Sequence, residues 1–68
     1  MSPFQPADSD LAVGDRVRIT NRVDHMNGWH GTIVGSLPWG SHVVDLDEDP
    51  YQMPVEFRAD ELVRINIR

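Results

Sequence analysis

The sequence predicts an all-β fold, a small barrel of five short strands with one 3-10 turn before the last. Three observations carry that expectation. Apolar and polar residues alternate with a period of two in several short runs, which is the spacing of a half-buried strand. Glycine, proline and an Asn-Gly pair punctuate the chain between those runs. No window shows the 3.6-residue apolar period of an amphipathic helix.

The 68 residues suffice for one domain at most. A chain this short buries only about 60% of the surface that its unfolded form exposes, so the core must be thin. There is no cysteine, which rules out a disulfide framework and any thiolate metal site. No stretch is apolar enough to span a bilayer, and the first residues lack the basic and apolar regions of a signal peptide. The expected compartment is therefore the cytoplasm, and no membrane partner is expected.

Residues 1–10, with Pro3, Phe4 and Pro6 among polar neighbours, are expected to form a flexible leader ahead of a barrel over 11–68. The Gly14-Asp15 pair is a turn signal. Arg16-Val17-Arg18-Ile19-Thr20 then alternates, with Val17 and Ile19 on one face and Arg16 and Arg18 on the other. Residues 21–30 have no clear period and contain the turn dipeptide Asn27-Gly28. Gly31-Thr32-Ile33-Val34-Gly35 predicts a second strand, rich in β-branched residues and bracketed by glycines. Residues 36–41 form a loop around Pro38, Trp39 and Gly40. His42-Val43-Val44-Asp45-Leu46 predicts a third strand, stopped by Asp47-Glu48-Asp49-Pro50. Met53-Pro54-Val55-Glu56-Phe57 predicts a short fourth strand, and residues 59–62 suit a single 3-10 turn. Val63-Arg64-Ile65-Asn66-Ile67 alternates again and predicts the fifth strand.

Closure into a barrel answers a physical problem. An open sheet of this size leaves two edges and has no second layer to cover its apolar face. The expected core is Val13, Val17, Ile19, Ile33, Val44, Leu46, Val55, Phe57, Leu62, Val63 and Ile65.

The run Gly14-Asp15-Arg16-Val17-Arg18-Ile19, then Gly28, then Gly31-Thr32-Ile33-Val34, resembles the KOW motif, a strand, a glycine-marked loop and a second strand. Pro54-Val55-Glu56-Phe57 followed by Glu61-Leu62-Val63 resembles the close of the C-terminal barrel of the bacterial transcription elongation factor G family. The likeness covers residues 13–65 and implies an SH3-like barrel. Similar punctuation occurs in the small SH3-like protein of photosystem I and in small accessory proteins of electron-transport enzymes. That photosystem protein meets its redox partner through basic surface, whereas this chain carries a net charge of −5. The aromatic and acidic first-loop motif of peptide-binding SH3 domains is absent, so proline-rich peptide binding does not transfer.

Three chemistries find no footing in these residues. The acids 45–49 with Glu56 at the twelfth position imitate a calcium loop, but the sixth position holds Pro50 where a glycine must turn sharply. His25, His30 and His42 show no tight spacing with another metal ligand. Ser2, Ser9, Ser36 and Ser41 lie in no nucleophile motif. The expectation is a protein with no catalytic residue, metal site or cofactor.

Two surfaces are candidates for binding. The first is aromatic and comprises Met26, Trp29, Trp39 and Tyr51, all placed in loops that crowd one side of such a barrel. The second is basic. Strand alternation points Arg16 and Arg18 outward from the first strand and Arg64 and Arg68 outward from the last, where they share one patch if those strands pair. The leading expectation is a non-catalytic module that binds another protein with a basic surface through the aromatic loops. The alternative is a KOW-type nucleic-acid, ribosome or transcription-associated module using the arginines. A generic nucleic-acid binder is basic, which favours the first. A weaker alternative is an accessory subunit of a redox complex.

Overall fold

The computed structural model describes residues 11–65. The expected leader over 1–10, the end of the expected last strand and Arg68 lie outside the described residues. The strands are β1 (Arg16–Ile19), β2 (His30–Ser36), β3 (Ser41–Leu46), β4 (Val55–Arg58) and β5 (Leu62–Arg64). A 3-10 turn, Ala59–Glu61, joins the last two. They form one five-stranded antiparallel sheet in the order β4-β3-β2-β1-β5.

Among the described residues, hydrogen bonding does not close this sheet into a barrel. β4 and β5 are its edges, and the 3-10 turn carries the chain between them. The sheet is nevertheless curled. Phe57 on one edge and Leu62 on the other belong to the same buried cluster as Leu11, Val17, Ile19, Ile33, Val44 and Leu46. A flat sheet holds its edge strands about 19 Å apart, at roughly 4.8 Å per step, and could not bring those side chains together. A β-bulge between Ile33 and Gly35 adds curvature, because Ile33 pairs with Val44 and Gly35 already pairs with Val43. Val34 is the extra residue and is exposed.

Two close approaches shape the interior. Gly31 is buried where β2 pairs with β3, opposite Leu46, and a Cβ there would lie 2.6 Å from the Asp45 carbonyl oxygen and 2.6 Å from Val44 Cγ1. Gly28 ends the β1–β2 loop with φ +92°, a conformation that glycine adopts without steric cost. Its N–H donates to the Ile19 carbonyl at 2.7 Å.

Three core assignments need correction, and one core residue was not expected. Val13, Val63 and Ile65 are exposed, while Leu11 is buried. Val63 and Ile65 fail for one reason, the register of β5. Leu62 pairs with Ile19, Val63 with Arg18 and Arg64 with Val17. Directly paired residues share a face. Leu62 thus opens the strand on the core side, and each following residue takes the face opposite to the expected one. Leu11 enters the core because a turn folds it back. The Asp15 N–H donates to the Ala12 carbonyl at 3.0 Å, and the Ala12 N–H donates to Asp15 Oδ2 at 2.9 Å. Val55 is half-buried and packs against the cluster from outside. No helix among the described residues is long and apolar enough to cross a membrane.

Candidate functional site

The β1–β2 loop (20–29) and the β3–β4 loop (47–54) meet over one end of the core. Between them lies a groove of about 410 Å³ lined by His25, Met26, Trp29, Asp49, Pro50, Tyr51 and Val55. Its floor is continuous with the core, since Met26, Trp29 and Val55 pack on the buried cluster. Its outer wall is Tyr51, 81% exposed. The His25 and Trp29 rings meet edge to face, with centroids 5.3 Å apart.

Each wall is held by one aspartate. In the β1–β2 loop, Asp24 Oδ1 accepts the Met26 N–H at 3.0 Å and both its oxygens accept from Arg22. The Arg22 guanidinium holds the Asp24 carboxyl below the usual carboxylate range. The same guanidinium lies 4.9 Å from the centre of the Phe57 ring and 3.4 Å from Glu61, tying the loop to the core and to the 3-10 turn. In the β3–β4 loop, Asp49 Oδ1 accepts the Tyr51 N–H at 3.0 Å and Oδ2 accepts the Met53 N–H at 3.2 Å. Aspartate suits this work, because its short side chain satisfies backbone donors a few residues on.

The structure brings Met26, Trp29 and Tyr51 together and leaves Trp39 apart. Trp39 stands 68% exposed in the β2–β3 loop, beside a separate depression with Arg58, Ala59 and Asp60. Its indole N–H donates to Glu56 Oε2 at 2.7 Å. Glu56 and Arg58 lie on the face of β4 opposite to Val55 and Phe57, so this indole covers the outside of the sheet. The expected four-residue aromatic patch is therefore a three-residue groove and a distant tryptophan. His25, Asp49, Pro50 and Val55 complete the groove. The Asp-Pro pair was visible in the sequence only as a strand stop.

The expected arginine patch is also divided. Arg16 and Arg18 do share the outer face of β1. Arg16 forms an ion pair with Asp47 and donates to Thr32 Oγ1 at 2.9 Å. That pairing holds the Asp47 carboxyl below its ordinary value and raises the Arg16 guanidinium. Arg64, opposite Val17, lies on the other side and meets Asp15 at 3.6 Å. Arg68 is outside the described residues. Arg18 has no ion pair with another described residue.

His30, Glu48 and His42 have local partners. His30 Nδ1 lies 3.1 Å from Glu48 Oε2, and the His30 N–H donates to Glu48 Oε1 at 2.9 Å. That backbone bond is the main reason the Glu48 carboxyl is lowered. His42 is buried and shares a 3.0 Å hydrogen bond with Ser36 Oγ. Among the described residues, no three histidines or carboxylates converge as a metal site would require. No protein-family model matches the chain, and no curated protein matches it in sequence.

Proposed function

We propose that the chain is a non-catalytic protein-binding module on a curled, SH3-like sheet, and that the groove between the β1–β2 and β3–β4 loops is its docking surface. One observation carries this reading: an apolar groove floored by Met26, Trp29 and Val55, with Tyr51 projecting freely above it. Concave, mostly apolar sites with a few placed polar groups are where ligands bind. Tyrosine and tryptophan supply large contact area and are enriched among energetically dominant interface residues. The lining includes no serine or threonine hydroxyl and no cysteine thiol. The SH3-like assignment is supported by the strand order, the curled sheet and the 3-10 turn before β5. The net charge of −5 favours a partner with a basic face.

The KOW-type nucleic-acid reading has less support. Arg16 and Arg64 carry carboxylate partners on different sides of β1, so the described arginines do not form the continuous basic row that a phosphate-tracking patch needs.

The test compares capture from cell lysate by the parent protein, Tyr51→Ala and Trp39→Ala. A protein retained by the parent and by Trp39→Ala but lost from Tyr51→Ala supports the groove. Equal retention by the parent and Tyr51→Ala overturns it.

A further inference from the structure

The groove differs from a plain hydrophobic slot in two respects. Three of its lining residues, His25, Trp29 and Tyr51, are aromatic, and one is a carboxylate. Aromatic faces carry negative electrostatic potential and attract cations. Asp49 places a full negative charge in the same wall. Its two oxygens each accept one backbone N–H, which fixes the carboxylate in orientation. Each oxygen keeps further acceptor capacity after those bonds. Asp49 has no ion pair with another described residue, and no arginine is among the lining residues. The neighbouring acids Asp47 and Glu48 are engaged by Arg16 and His30, so Asp49 is the carboxylate of this loop left to an outside cation.

We infer that the groove receives the guanidinium of an arginine side chain presented by a partner protein. This rests on the docking reading above and names what enters the site. Arginine fits better than lysine for physical reasons. Its guanidinium is planar, weakly hydrated and able to stack on a ring, and its fork of donors matches a carboxylate edge. Its aliphatic stem can lie on the apolar floor of Met26, Trp29 and Val55 while the head reaches Tyr51 and Asp49. A lysine ammonium is a compact, strongly hydrated charge and gains less from ring faces.

The experiment is an NMR titration with the blocked pentapeptide Gly-Ser-Arg-Ser-Gly, and with the same peptide carrying citrulline in place of arginine. Citrulline keeps the shape and removes the charge. The expected result is movement of the Trp29 indole N–H and Tyr51 ring signals, with the citrulline peptide binding on the order of tenfold more weakly. Tyr51→Ala, an exposed site whose loss leaves the core intact, should weaken the arginine peptide several-fold. Tyr51→Phe keeps the ring face and should retain it. Equal binding of the two peptides in the groove overturns the arginine assignment and leaves the docking reading standing. No groove signal moving at millimolar arginine peptide also overturns it. The docking reading is then decided separately by the Tyr51→Ala capture comparison.

Discussion

Gly31 shows how little room this interior has. Its backbone passes so close to β3 that any side chain would meet the Asp45 carbonyl and the Val44 side chain at 2.6 Å. The Asp45 carbonyl is part of the β2–β3 ladder and cannot rotate away as a flexible side chain could. Gly31→Ala should therefore cost about 1–3 kcal/mol through overpacking, read as a lower urea midpoint with an unchanged slope. Phe57 makes the opposite case. It is the largest fully buried side chain, 1% exposed, and its ring also faces Arg22. Phe57→Ala should cost about 3–5 kcal/mol, because the cavity cannot collapse in so small a core. A domain of this size has a total stability of only about 3–10 kcal/mol, so this variant should be largely unfolded at 37 °C by circular dichroism. A melting temperature within a few degrees of the parent would show that the core is organised around another residue.

The β1–β2 loop is the element on which the groove depends, and Arg22 is what secures it. One guanidinium joins Asp24 in the loop, Glu61 in the 3-10 turn and the Phe57 ring in the core. Arg22→Ala should lower stability by about 1–2 kcal/mol, the size of one partly desolvated cation–π contact with its ion pairs. Its more telling effect should be local. Amide exchange should accelerate at Met26 and Trp29 while the β2–β3 ladder stays protected. Uniform acceleration across the sheet would make Arg22 a global rather than a loop support. The ties to Glu61 and Phe57 were not readable from the chain order, since both are far from Arg22 in sequence. What the alternation did reveal was the strands, because each half-buried run repeats every two residues whatever it packs against. Its limit appears at β5. Alternation shows that Val63 and Ile65 share a face, but only pairing with β1 decides which face is inward, and Leu62 takes that place. The groove was partly foreseen for a similar reason. Met26, Trp29 and Tyr51 stood out as loop aromatics and a loop methionine, whereas the separation of Trp39 follows from its bond to Glu56 on the outer face of β4.

At the scale of the whole molecule, charge sets the response to acid. The chain has eleven acids against six arginines. Asp24, Asp47 and Glu48 are all lowered from their ordinary values, first by the Arg22 hydrogen bond, the Arg16 hydrogen bond and the His30 backbone N–H respectively. A carboxylate lowered in the folded state binds fewer protons there than in the unfolded chain, between its folded and unfolded pKa values. Its contribution is therefore complete above the ordinary carboxylate range, about 4, and is lost as pH falls through the folded value. Arg16 and Arg22 are raised above the ordinary guanidinium value, first by their hydrogen bonds to Asp47 and Asp24, so their contributions are lost only in strong alkali and leave the acid side untouched. One effect opposes the loss. Protonating any acid relieves the repulsion of a chain with net charge −5. The two differ in range. The pairings act within hydrogen-bond distance, whereas the repulsion is spread over the surface and is screened beyond about 8 Å at physiological salt. At about 0.15 M salt the local losses should win. The melting temperature should hold steady from neutral pH to about 5 and then fall below about 4. Combining Asp24→Asn, Asp47→Asn and Glu48→Gln should lower the plateau slightly and flatten the acid limb. At low salt the repulsion is less screened, its relief offsets more of the loss, and the fall should begin at lower pH. A melting temperature that climbs steadily from pH 6 to 3 at physiological salt would mean that net repulsion, not these three pairings, governs the fold.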